Sequence, residues 1–251
     1  MAWARSVGSE GALPVKGTGA VPLPRSGGRR HAREVRPDLR AELLSRAERD
    51  QAARGLPEPD WETVAPVDAD NLAWLREVVA EVGWPGRSMV GEDGAHAAWL
   101  LAQHADRDPA FQRRCLDLIT EAAAGGEVSK TELAYLTDRV LLAEGQAQEY
   151  GTQVVGREEG WVPRRLRDPE TVDERRAAMS LGPLDEYIAL LEETFGPASP
   201  GSIQCVTCGS SIECWWPEEG EERNISCPGC GWTTTLTVGT PAGAPDAEAG
   251  G

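Results

Sequence analysis

The sequence predicts a mainly α protein: a multi-helix domain with one small β-hairpin, followed by a small β zinc ribbon. Three observations carry that prediction. Apolar residues recur at helical spacing from Pro37 to Phe195, and Gly, Pro and capping residues divide them into separate helices. Between Tyr150 and Leu166 the period shortens to that of extended chain. Near the C-terminus the pairs Cys205/Cys208 and Cys227/Cys230 form two C-x-x-C knuckles with 18 residues between them, the spacing of a four-thiolate zinc site.

The elements follow in order. Residues 1–36 are rich in Gly, Pro, Ser and Arg without apolar periodicity and read as a disordered basic tail. From Pro37, the residues Leu39, Leu43, Leu44 and Ala47 lie on a helix running to Arg54. Asp68 and Asp70 are capping candidates for a second helix carrying Leu72, Leu75, Val79 and Val82, which Gly83 and Pro85 end. Residues 92–105 are apolar almost all round, the mark of a central helix. Asp108-Pro109 opens the next, with Phe111, Cys115, Leu118 and Ile119 on one face. Ser129-Lys-Thr-Glu132 is a capping box for a helix that stops at Gly145. The segments 150–155 and 161–166 form the expected hairpin. Asp168-Pro169 and Pro183 start the last two helices. The helical domain is thus expected at 37–195, a linker at 196–202, the zinc ribbon at 203–238, and an acidic disordered tail at 239–251.

Charge narrows the range of partners. The chain carries −16 overall, with 25 basic and 41 acidic side chains. Residues 1–36 hold seven basic and two acidic groups, and the remainder holds 18 and 39, or −21, which repels a phosphate backbone. The expected partner is a small molecule or a protein, not nucleic acid and not a membrane. No secretory h-region and no run of eighteen apolar residues is present, so a cytoplasmic protein is expected. In such a compartment paired knuckles bind metal rather than form disulfides, and zinc is the expected structural cofactor. Cys115 reads as a small core residue, while Cys214 is a possible competitor for the metal.

Two polar residues sit where packing alone does not explain them. Asp138 shares its helical face with Ala134, Tyr135, Leu141 and Leu142, so it needs a cation or donor; Arg54, Arg176 and His104 are candidates. His104 lies on a face with Ala97, Leu100 and Leu101. Beside Asp138 it would have the form of an oriented general base. Arg54, Gln103, Arg139, Gln148, Tyr150, Gln153 and Arg176 supply neutral and cationic groups that suit a bound ligand.

The stretches Asp50-Gln51-Ala-Ala-Arg54, Gly83-Trp84-Pro85, Gln103-His104-Ala-Asp106, Asp138-Arg139, Gln148-Glu-Tyr150-Gly-Thr-Gln153 and Val172-Asp173-Glu-Arg175-Arg176 resemble, in that order, a bacterial family known as a domain of unknown function. The resemblance covers about residues 37–195. It implies one domain with a shared site and supplies no chemistry. Two functions therefore stay open. One is a ligand-handling domain, a hydrolase or transferase, built around His104, Asp138, Arg139, Tyr150 and Gln153. The other is a non-catalytic interaction or regulatory module in which those residues are structural and Trp215 and Trp216 carry binding.

Overall fold

A computed structural model describes residues 35–55, 61–215, 217 and 221–237. The tails expected at 1–36 and 239–251 fall almost wholly outside these, as do Trp216, Glu218, Glu219 and Gly220. The described chain is mainly helical with small antiparallel hairpins, as the periodicities predict. It divides into two compact units between Leu133 and Ala134.

In the first unit, α1 (Pro37–Arg54) begins with proline at its first position, where no N–H is needed, and buries Leu39, Leu43, Arg46, Asp50, Ala53 and Arg54. α2 (Trp61–Val82) starts seven residues before Asp68 and passes through Pro66. The expected caps Asp68 and Asp70 therefore lie inside it, and both turn toward α1: Asp70 pairs with Arg46, whose guanidinium also stacks 4.5 Å above the Trp74 ring. α3 (Arg87–Gln103) is buried almost continuously from Gly94 onward and breaks at Gly91, whose φ of 76° only glycine adopts freely. Gly94 follows on the same helix. A Cβ there would lie 2.9 Å from Val90 and 3.2 Å from the Arg40 stem, so the missing side chain lets α1 approach α3 closely. Arg40 also grips Asp93 through two hydrogen bonds, the Nε one at 2.8 Å.

α4 (Pro109–Ala124) has Asp108 as its cap, accepting the Phe111 N–H at 3.1 Å. α5 (Lys130–Ala143) opens with the predicted box: Glu132 N–H donates to Ser129 Oγ at 3.1 Å, and Ser129 N–H donates to Glu132 Oε2 at 2.9 Å. Leu43, Leu75, Leu101 and Ile119 are among the fully buried side chains of this unit, each contributing about 1.5–3 kcal/mol relative to exposure. Cys115 lies among them as a core residue, its thiol pushed up to about 12 by burial.

In the second unit, the expected hairpin forms over a shorter span. β1 (Val154–Arg157) pairs antiparallel with β2 (Gly160–Pro163), leaving 150–153 as loop. A short 3-10 turn (Pro169–Thr171), α6 (Val172–Ala178) and α7 (Leu184–Phe195) follow. Asp168 takes a left-handed backbone (φ 39°) and caps nothing with its side chain. The last four strands are β3 (Gly201–Gln204), β4 (Ser211–Cys214), β5 (Glu222–Ser226) and β6 (Thr233–Thr237), paired antiparallel as β3-β4 and β5-β6. Among the described residues no helix is long and apolar enough to cross a membrane.

Candidate functional site

In the first unit the chemistry gathers around Asp50, which is completely buried. His104, the residue that closes α3, presents Nδ1 to both carboxylate oxygens, 2.8 Å from Oδ2 and 3.0 Å from Oδ1. One turn along α1, Arg54 donates Nη1 to Asp50 Oδ1 at 2.7 Å and Nη2 to Asp68 Oδ1 at 2.6 Å. Gln51 Nε2 adds a hydrogen bond to Asp50 Oδ2 at 3.0 Å. Burial alone would push the Asp50 carboxyl up. The hydrogen bond and charge of His104, then Arg54 and Gln51, outweigh burial and hold it below its ordinary value. Asp68 moves the other way, because its burial exceeds the pull of Arg54.

This is the carboxylate–imidazole pair expected of an oriented acid–base group, with Asp50 in the place where the sequence suggested Asp138. A carboxylate on Nδ1 fixes the orientation of the ring. Gln103 sits beside it in the chain. Its backbone carbonyl accepts from Gln112 Nε2 at 3.0 Å, and its buried Oε1 meets no donor among the described residues.

The second unit holds the other buried aspartate. Asp138 accepts the N–H groups of Glu149 at 2.8 Å, Tyr150 at 3.0 Å and Thr152 at 2.9 Å, and the Thr152 hydroxyl at 2.9 Å. Every partner is a donor, so the ionised carboxylate is the form that satisfies the loop. Burial still pushes the carboxyl above its ordinary value, and the N–H groups of Thr152, Tyr150 and Glu149 offset only part of this.

Gln148 completes the loop. Its Nε2 donates to the carbonyls of Gln153 (2.8 Å) and Arg164 (2.9 Å), and its Oε1 accepts the Gln153 N–H at 2.9 Å. Arg176, buried, donates to the carbonyls of Tyr150 (2.7 Å) and Gly182 (2.6 Å) and lies over the Tyr187 ring. Gly151 turns the loop with φ 69°, and a Cβ there would stand 3.0 Å from Leu184. Gln153 Nε2 donates to Thr152 Oγ1 at 3.2 Å, while Arg139 reaches Gln153 Oε1 over a longer 3.4 Å. Tyr150 is half-buried, and burial raises its phenol.

The four predicted cysteines converge. All of their sulfurs lie within 4.8 Å of one another, with Cys205 and Cys230 3.7 Å apart and Cys208 and Cys227 3.6 Å apart. A tetrahedron of about 2.3 Å metal–sulfur bonds has edges of about 3.8 Å, so the donor set fits a four-coordinate ion. The two knuckles repeat one pattern. Cys205 N–H donates to the Ser210 carbonyl and Gly209 N–H to the Cys205 carbonyl, and Cys227 with Trp232 and Gly231 does the same. Gly209 and Gly231 take φ of 74° and 75°, which lets each knuckle close its hairpin. Ser210 beside Cys208 pulls that thiol down to about 6, toward the thiolate a metal requires. Cys214 lies outside the quartet, in an apolar cluster with Ile212 and Ile225. Trp215 is half-buried, its ring over Gly156 of the hairpin together with Trp161.

Sequence reasoning singled out His104, Arg54 and the cysteines but passed over Asp50 and Asp68 as site residues. The signal for Asp50 was in the period: it stands seven residues after Leu43 and eleven after Leu39, on the same buried stripe of α1. Residues 37–199 match the model of a family of unknown function, DUF6624. No curated protein and no solved structure matches the chain.

Proposed function

Because the chain belongs to the family of unknown function DUF6624, we propose a function from its geometry: the helical domain handles a small ligand by acid–base chemistry, as a hydrolase or transferase, with His104 exchanging the proton. The observation that supports this most is the buried Asp50 carboxylate 2.8 Å from His104 Nδ1. In this reading Asp50 orients the imidazole and stabilises its charged form, and Nε2 acts on the ligand. The second unit carries ligand-type groups of its own, Arg139, Tyr150 and Gln153. Asp138, Gln148 and Arg176 act as positioning residues that fix the 148–153 loop.

A thermal-shift screen of the full chain against metabolites, repeated with His104→Ala, tests it. A ligand present at 100 times its Kd stabilises wild type by about 2.7 kcal/mol, and His104→Ala, compared with its own unliganded melting point, should lose that gain. The reading fails if nothing binds and the variant simply melts far lower.

The second reading is a non-catalytic interaction or regulatory module. It is favoured by Asp138 and Gln148, whose hydrogen bonds go to their own loop, and by Val206, 82% exposed at the tip of the first knuckle. Failure of the screen followed by loss of a protein contact in Val206→Asp would select it.

For the cysteine module we infer structural zinc. Four thiolates leave no coordination position open for water, so the ion would hold the two hairpins together rather than activate a nucleophile. Metal analysis of protein purified under reducing conditions should find one zinc per chain, and much less than one refutes the assignment.

A further inference from the structure

The acid–base reading leaves one question open: what decides whether His104 carries its proton. We propose that Asp68, acting through Arg54, is the positioning residue that keeps His104 protonated. The proposal rests on the reading of His104 as the proton-exchanging group, and its argument is a count of charges along a chain of contacts.

Arg54 is buried and divides its guanidinium between two carboxylates, Nη1 to Asp50 at 2.7 Å and Nη2 to Asp68 at 2.6 Å. Were Asp68 absent, Arg54 would neutralise Asp50 alone. A proton on His104 would then leave a net positive charge in a closed environment, which is costly. With Asp68 taking up the guanidinium from its far end, Asp50 keeps negative charge for the imidazole. Counted among themselves, these four groups balance when His104 is an imidazolium. Both Asp50 oxygens lie within 3.0 Å of Nδ1, the arrangement that receives such a cation.

Two further carboxylates follow His104 in the chain. On the turn after α3, Asp106 accepts from Gln112 Nε2 at 3.2 Å, and Asp108 pairs with Arg76. α1 contributes Asp50 and Arg54, and α2 contributes Asp68. The shifts of the two aspartates agree with this relay: burial raises Asp68 despite Arg54, and Asp50 is held down with His104 as its strongest partner. Of the two carboxylates, Asp68 is thus the one whose charge is held less firmly. A proton on Asp68 would release the one on His104, which gives the site a second proton position about two side chains away. A resting imidazolium makes His104 a general acid, suited to a ligand with an anionic group or a leaving oxygen that must be protonated.

The test is nitrogen-15 NMR of the imidazoles in the full chain between pH 5 and 9, with His31→Gln and His96→Gln variants to assign the three histidines. Wild-type His104 should titrate above the ordinary value of about 6.5. Asp68→Asn should lower its midpoint by about one unit or more, Asp68→Glu should restore it, and Asp106→Asn should leave it unchanged. An unchanged midpoint in a folded Asp68→Asn overturns the proposal. So does a wild-type His104 that is neutral at pH 7, which decides the matter even if Asp68→Asn does not fold. The midpoint needs no ligand. A charged His104 with no ligand found would leave this relay standing and remove the acid–base reading, whereas a neutral His104 whose loss abolishes ligand stabilisation would do the reverse.

Discussion

Asp50 and Asp138 are both completely buried, yet their surroundings have little in common. Asp50 meets charged side chains from other turns and helices: Arg54 on α1, His104 at the end of α3 and, one step removed, Asp68 on α2. Among the described residues, the hydrogen bonds to Asp138 come from three main-chain N–H groups and a hydroxyl. Full charges pull the Asp50 carboxyl down past the opposing effect of burial, while dipoles leave Asp138 raised. Burial alone therefore does not tell a chemical group from a structural one. The partners do: titratable neighbours can exchange protons with a carboxylate, and peptide N–H groups can only hold it.

The largest effect that could break this contrast is Asp50→Asn. It leaves a guanidinium and an imidazole short of a counter-charge in a closed environment and should cost about 3–5 kcal/mol, read from the urea midpoint at neutral pH. Asp138→Asn should cost less, about 2–3 kcal/mol by the same measurement, because its new NH2 faces donors but the loop can open to water. If Asp138→Asn proves the more damaging, the loop is the more rigid of the two. Thr152→Val removes one donor, the hydroxyl 2.9 Å from Asp138, and should cost about 1.5 kcal/mol.

The smallest effect expected is in pH dependence, and its sign differs between the two. A folded pKa below the unfolded value means that the stability from Asp50 is present above about pH 3.9 and fades as pH falls through its lower folded value. For Asp138, raised on folding, the favourable contribution is present below about pH 3.9 and is lost as pH rises through its folded value. Urea midpoints between pH 3 and 6 should therefore show the gap between wild type and Asp50→Asn narrowing in acid, and the gap to Asp138→Asn widening.

The two nests also differ in how far the sequence could reveal them. Asp138 was conspicuous because its helical neighbours are apolar, but its partners are peptide groups 11 to 14 residues on, and no residue type announces a peptide N–H. His104 was conspicuous for the same reason. Its partner lies 54 residues away, and only tertiary packing of α1 on α3 joins them. Local chemistry was legible where it acts locally: the Asp108 cap, the Ser129 box and both cysteine knuckles stand where spacing put them. The start of α2 was not. Asp68 and Asp70 have the capping preference, but Arg54 and Arg46 claim them from α1, and the helix runs back through Pro66 to Trp61. The hairpin was placed correctly but drawn too long, because 150–153 has extended composition and is held by side chains instead of a ladder.

That last feature bears on the dynamics of the loop. The N–H groups of Glu149, Tyr150, Thr152 and Gln153 lie outside any named helix or strand, yet each ends on a buried side-chain oxygen, of Asp138 or Gln148. To trade these hydrogens with deuterated water, the segment must first pull its backbone off two buried residues. Its amides should exchange at the pace of a core strand, slow beside those of the exposed Glu158-Glu159 turn a few residues on.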